Sequence, residues 1–165
     1  MAKTHDDLMD AFAGESQANR KYLAFAKKAE EEGFTQIAHL FRTVAHAETI
    51  HALSHFKVAG KVNSTAENLK SAIEGETYEF TTMYPEFIAD AEAESEARAI
   101  KSFTNAMEVE KVHEALYREA LENIGKSSEP YDYYICPVCG YIHPRNAPEK
   151  CPVCSTVGTR FEVIP

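Results

Sequence analysis

The chain has 165 residues, 44% of them apolar and 26% charged, with a formal net charge of −9. That balance belongs to a globular chain of one ordinary domain plus a small appendage. No stretch approaches the ~18 apolar residues of a membrane span. The opening MAKTHDD has no apolar core and is no secretory signal, so a cytoplasmic protein without a membrane partner is expected. The acidic excess is confined to residues 1–124, which hold 13 basic and 22 acidic residues, against 4 and 4 in 125–165. Such a surface repels phosphate backbones, which excludes nucleic acid as a natural partner, and its carboxylates suit hard cations.

In chain order, helical periodicity predicts a first helix over 4–32, with Leu8, Ala11, Phe12, Glu15, Ala18, Tyr22 and Phe25 on one side, broken at Glu32-Gly33-Phe34. A second runs over about 35–59, with Ile37, Leu40, Phe41, Val44, Ala45, Ala52 and Phe56 inward, and ends at Gly60. Ser64 and Glu67 form a capping-box pattern that opens a third helix. It runs to about 93 with a kink at Pro85. A fourth covers about 95–124 and stops at Gly125. Each is ~40 Å long at 1.5 Å per residue, and four such helices make a bundle over 1–124. Residues 125–132 read as a polar linker, and 133–165, short and cysteine-rich, need a staple to fold.

The helical part repeats at 61–62 residues. Gly14-Glu15 matches Gly75-Glu76, Phe41 matches Phe103, and Glu48-x-x-His51 matches Glu110-x-x-His113. Positions i and i+3 share a helix face, and these faces are the apolar ones. Several inward carboxylates without matching Lys or Arg are too costly to bury unless cations neutralise them. A pair of metal ions is therefore expected among Glu15, Glu48, His51, Glu76, Glu110 and His113. Mixed oxygen and imidazole donors suit Fe or Mn, and admit Zn. The repeat is broken at one place: Glu76 is followed at i+3 by Glu79, where Glu15 is followed by Ala18. That adds a carboxylate on one side only. His39, His46 and His143 are expected at the surface, and Glu108 and Glu114 to point away from the cluster.

All four cysteines fall in the last thirty residues, as Cys136-x-x-Cys139 and Cys151-x-x-Cys154 with eleven residues between the pairs. Without an export signal this is a tetrahedral thiolate site for Fe or Zn rather than a disulfide framework.

Together AGESQANRKY (13–22), AETIH (47–51), NLKSAIEGETYE (68–79), MYP (83–85), EKVH (110–113), CPVCGY (136–141) and CPVC (151–154) resemble the rubrerythrin family over nearly the whole chain. The resemblance implies a mainly α fold, a four-helix ferritin-like di-iron bundle followed by a small rubredoxin-like β/loop metal module. It implies a non-haem peroxidase that reduces hydrogen peroxide to water. It further implies that Glu48 and Glu110 bridge two irons, that Glu15 and Glu76 are terminal ligands, and that His113 binds the second iron. Glu79 would be a ligand in the oxidised state and His51 in the reduced one. Tyr22 and Tyr84 match tyrosines behind the ligands, and Cys136, Cys139, Cys151 and Cys154 would hold a redox-active Fe. A rubredoxin-like or flavin reductase, fed from NAD(P)H, would supply electrons, relayed from a partner chain's cysteine module.

One departure stands out, a short link between the second and third helices. In a ferritin-like bundle these helices run the same way, so the link must climb about 34 Å at helical rise, whereas residues 60–64 reach only about 18 Å. The expectation is a swapped homodimer, residues 1–60 of one chain packing on 65–124 of another. An up-down-up-down monomer competes with it. A ferroxidase or iron-storage protein, a di-iron oxygenase and a zinc-binding adaptor are the competing functions.

Overall fold

A computed structural model describes residues 3–127 and 129–164. Met1, Ala2, Ser128 (inside the expected linker) and Pro165 lie outside the described residues. The architecture is mainly α, the four long helical stretches of a ferritin-like bundle followed by a small cysteine-rich module. The chain divides into two compact units, one ending at Asn63 and one beginning at Ser64. No helix among the described residues is long and apolar enough to cross a membrane.

The first unit is a helical hairpin of α1 (Lys3–Glu31) and α2 (Thr35–Val58). Gly33 turns the chain at φ 82°, where a residue without Cβ is favoured. The Phe34 N–H donates back to the Ala29 carbonyl at 2.8 Å. Ala38, Ala45 and Ala52 recur every seven residues along α2 and are buried, as are Ala26 and Ala29 of α1, so the seam is built from small side chains that let the helices approach closely. The sequence placed Ile37, Leu40 and Phe25 inward as well. In the hairpin they remain 47%, 59% and 48% exposed. Their apolar faces are wider than a single seam can cover, as expected of helices that belong in a bundle.

In the second unit, α3 (Thr65–Tyr78) opens on the expected capping box: the Ser64 hydroxyl accepts from the Glu67 N–H, and the Glu67 carboxylate accepts from the Ser64 N–H. The expected kink takes the form of a π-turn at Glu79–Met83, leading into α4 (Tyr84–Ala93). The cause is Pro85, which cannot donate and whose ring crowds the carbonyl four residues back. The widened turn falls on Glu79, and π-turns gather at functional positions. The chain then reverses into α5 (Ala97–Glu122), which ends two residues before the expected boundary.

The sequence repeat is visible as geometry. Tyr22, Phe25 and Phe41 form an aromatic trio with centroid spacings of 6.2, 6.2 and 5.6 Å. Tyr84, Phe87 and Phe103 form its counterpart with 6.3, 6.2 and 5.6 Å. Even the turns correspond, Gly33 at φ 82° and Ser95 at φ 60°.

The C-terminal module is a three-stranded antiparallel sheet in the order β2-β1-β3, from β1 (Tyr133–Ile135), β2 (Ile142–Pro144) and β3 (Glu162–Val163). Tyr134 pairs with His143 on one side and Val163 on the other. So few residues cannot fold on apolar burial alone. The cysteine cluster is its centre, with Cys136 and Cys151 almost fully buried.

Candidate metal centres

The carboxylates and histidines gather as two matched groups, one in each unit. Glu15, Glu48 and His51 bring ligand atoms within 4.8 Å of one another, and so do Glu76, Glu110 and His113. In the first group His51 Nδ1 lies 2.9 Å from Glu48 Oε2 and 3.7 Å from Glu15 Oε1. In the second, His113 Nδ1 lies 2.7 Å from Glu110 Oε2 and 3.9 Å from Glu76 Oε2. Donors bound ~2.1 Å from one cation sit roughly 3 Å apart or slightly more, so both groups fit a metal ion. Among the described residues no Lys or Arg forms an ion pair with any of these four glutamates. Nearby cations are spent elsewhere, Arg42 on Glu30, Lys111 on Glu108 and Arg118 on Glu114. Glu108 and Glu114 are thus each paired with a cation of their own helix.

The electrostatics of the second group show what the acids need. Burial pushes the Glu76 carboxyl up to about 7, and a hydrogen bond and the charge of Glu110, then the charge of Glu79, act the same way. Glu79 is also raised, first by burial, then by Glu110, while His113 pulls it down. The π-turn therefore delivers Glu79 to the neighbourhood of the second group. Tyr84 is raised by burial and by Glu110, Glu79 and Glu76, so its phenol stays neutral beside the carboxylates. Tyr22, its repeat partner, packs on Phe25 and Phe41.

Sequence reasoning missed two residues here. Asn19 is buried between α1 and α2, and its Nδ2 donates to the Ala45 carbonyl at 2.7 Å and to Thr49 Oγ1 at 2.8 Å. It pins the helix that carries Glu15 against the one that carries Glu48 and His51. Its signal was a polar residue in line with apolar ones. Gly140 is the second. Its carbonyl lies 3.2 Å from His113 Nε2. The Nε2–H donates there, which holds the ring with Nδ1 toward the carboxylates, where its lone pair would meet a metal ion, the usual outer support of a metal-binding histidine. His51 has no such support among the described residues, and its side chain is 55% exposed against 21% for His113.

The four thiols form the third group. Cys136 Sγ lies 3.5 Å from Cys154 Sγ, and Cys139 Sγ 3.5 Å from Cys151 Sγ, with all four within 4.8 Å and none in a disulfide. Sulfurs around a tetrahedral ion at ~2.3 Å are about 3.8 Å apart, so the set fits one. Burial pushes the Cys154 thiol up. That is outweighed by hydrogen bonds from the Thr156 hydroxyl and backbone and from Cys139 and Cys136, which leave it lowered to about 6. Cys139 and Cys151 are raised, chiefly by burial. One sulfur is ready to carry charge, and Cys139 and Cys151 await a cation. His143 takes no part; its Nδ1 meets the Asn146 carbonyl at 2.7 Å.

The description "Rubrerythrin" matches residues 6–121 and "Rubrerythrin, rubredoxin-like domain" matches 134–162. The chain belongs to the rubrerythrin family. Rubrerythrin-2 of Clostridium acetobutylicum is 35% identical over 185 residues, covering 99% of this chain and 97% of the relative. Nigerythrin of Nitratidesulfovibrio vulgaris is 38% identical over 93% of this chain and 83% of its own. Among solved structures, nigerythrin in its fully reduced, all-ferrous state is 36% identical with a TM-score of 0.61, covering 98% of this chain and 86% of that one. A mixed-valence nigerythrin gives 0.60. With the family shown, the carboxylate–histidine groups are a di-iron carboxylate site and the four cysteines a rubredoxin-like site.

Proposed function

We propose that this rubrerythrin-family chain is a peroxidase that reduces hydrogen peroxide to two waters, consuming two electrons and two protons. When bound, the iron pair supplies the two electrons that O–O cleavage takes up, and the thiolate-held iron restores them singly.

The chain's residues then divide the work. Glu48 and Glu110, the less exposed carboxylates of their groups, would hold the iron pair together with Glu15 and Glu76. His113 is held by the Gly140 carbonyl and is the fixed imidazole. His51, half-exposed and unsupported, is free to yield its place to Glu79, which the π-turn holds near Glu110. An anionic ligand would gain on a neutral one as positive charge rises, so Glu79 would suit the oxidised state and His51 the reduced one. Tyr84 stands by as a neutral hydrogen-bond donor.

The observation that carries the reading is the contact at 3.2 Å between His113 Nε2 and the Gly140 carbonyl. Gly140 directly follows Cys139, so a thiolate ligand and an imidazole ligand are joined by one residue and one hydrogen bond. An iron-storage protein has no use for that link. The sequence-based expectation was delivery from a partner's module. The contact lies within residues 64–165 and favours delivery to His113 from the module of the same chain. A rubredoxin-like or flavin reductase drawing on NAD(P)H would refill the thiolate site.

The test is stopped-flow oxidation of anaerobically reduced, iron-loaded protein. Peroxide is expected to oxidise both sites at least about tenfold faster than dioxygen at equal concentration. Equal rates, or faster reaction with dioxygen, would overturn the peroxidase assignment in favour of a ferroxidase.

A further inference from the structure

The two cysteine knuckles of the C-terminal module are built alike. In the first, the Gly140 N–H donates to the Cys136 carbonyl at 2.9 Å, and the Cys136 N–H to the Tyr141 carbonyl at 2.8 Å. In the second, the Ser155 N–H donates to the Cys151 carbonyl at 3.0 Å, and the Cys151 N–H to the Thr156 carbonyl at 2.8 Å. Gly140 and Ser155 both take the left-handed conformation, at φ 84° and 63°. Cys139 therefore corresponds to Cys154, and Tyr141 to Thr156.

The side chains at the last matched position differ. The Tyr141 ring turns to His143 and Phe161, with centroids 6.4 Å away in each case. The Thr156 hydroxyl lies 3.1 Å from Cys154 Sγ. A sulfur that binds a metal ion does so as the thiolate, so in the loaded site the hydroxyl donates and the sulfur accepts. The hydrogen bond from Cys151 pins the Thr156 backbone, and Cys154 and Thr156 are both half-buried. The contact is thus held by the knuckle itself.

Its effect follows from charge. Four thiolates and a ferric ion sum to one negative charge. One added electron, with no proton, makes the ion ferrous and the sum two. Part of the added charge falls on the sulfurs, so a donor aimed at a sulfur favours the reduced state; hydrogen bonds to the sulfurs are one of the levers that set such potentials.

We propose that Thr156 tunes the rubredoxin-like iron: its hydroxyl, donating to Cys154 Sγ, raises the reduction potential of the four-cysteine site. A given donor then refills that site more readily, and the site passes its electron onward with less driving force. The knuckles divide the work. The first turns its Gly140 carbonyl to His113, and the second sets the potential. The proposal rests on the rubredoxin-like site and not on the peroxide chemistry. A hydrogen bond to a charged acceptor is roughly twice as strong as a neutral one, and only its difference between the two charge states counts. The expected effect is about tenfold in the equilibrium constant for reduction, or ~59 mV for one electron.

The test is a redox titration of the full chain, loaded anaerobically with ferrous iron, following the visible absorption of the four-cysteine iron in the presence of mediators. Thr156→Val keeps the shape and removes the O–H. It is expected to lower the reduction equilibrium constant about tenfold and to move the ferric thiolate absorption to longer wavelength, because an unbonded sulfur gives charge to the iron more easily. Thr156→Ser keeps the hydroxyl and is expected to stay within about twofold of the wild type. A Val variant that matches the wild type in potential and absorption at equal iron content overturns the proposal. Val and Ser variants displaced alike also overturn it, since loop packing would then be the cause. Thr156→Ala is the second variant without the O–H. If Val and Ala both lose iron from the thiolate site while the pair centre stays loaded, the hydroxyl holds the loop instead of tuning the metal, and the proposal falls. No peroxide enters the measurement, so failure of the peroxidase assignment leaves its outcome unaffected.

Discussion

In metal-free protein the Glu76–Glu110 pair should make stability fall as pH rises, the reverse of ordinary acid denaturation. Burial and the neighbouring carboxylates raise Glu76 from 4.5 to about 7. The fold therefore binds this proton more tightly than the unfolded chain does. Its contribution is complete below about pH 4.5 and is lost as pH rises through 7. The full shift corresponds to ~3.4 kcal/mol, and solvent screening around a partly open cluster cuts this to about 1–2 kcal/mol. For a chain of this size that is a fall in Tm of roughly 3–6 °C between pH 5 and 7.5. Calorimetry in the presence of a chelator measures it, with Glu110→Gln as the control that removes the like charge and flattens the slope. Loading with ferrous iron should reverse the sign, because ligand carboxylates must be deprotonated to bind. Chelated protein whose stability is flat or rising over that range, with the Gln variant indistinguishable, would refute the claim that these acids are mutually strained until a cation arrives.

Other outcomes follow from single positions. A Cβ on Gly158 would run into the Pro148 carbonyl, so Gly158→Ala should strip iron from the four-cysteine site while leaving the pair centre loaded, as read by visible absorption and metal content. Ser95 occupies the left-handed position that its counterpart Gly33 fills, so Ser95→Gly should stabilise the protein by about 0.5–1 kcal/mol, seen as a higher denaturation midpoint. Removing the Asn19 amide loses two hydrogen bonds in a buried seam. Asn19→Ala should cost about 1–3 kcal/mol and weaken iron retention at the pair centre, since Glu15 loses its register with Glu48. His113→Ala should slow electron transfer from the thiolate site more than His51→Ala does, measured by single-turnover reduction of the oxidised protein.

Much of this protein was legible in the residues alone. Helix positions followed from periodicity, and Gly33, Gly60 and the Ser64–Glu67 box marked their ends because backbone and capping rules are local. The ligand groups followed from a charge argument: Glu and His on apolar faces, twice in register, require cations wherever the helices go. The four cysteines declared themselves by spacing. What sequence could not fix were relations between segments distant in the chain. The exposure of Ile37 and Leu40 depends on how much surface one hairpin seam can cover. Pro85 foretold a kink, but the widening of the turn at Glu79 needed the backbone path. The Asn19 clamp depends on which carbonyl of α2 lies opposite it. The Gly140–His113 bond joins residues 27 positions apart and exists because the module packs on α5. Local rules choose the donors and the elements; only tertiary packing decides which nitrogen of His113 faces the carboxylates and which faces the cysteine loop, since that choice is set by the atom across the gap.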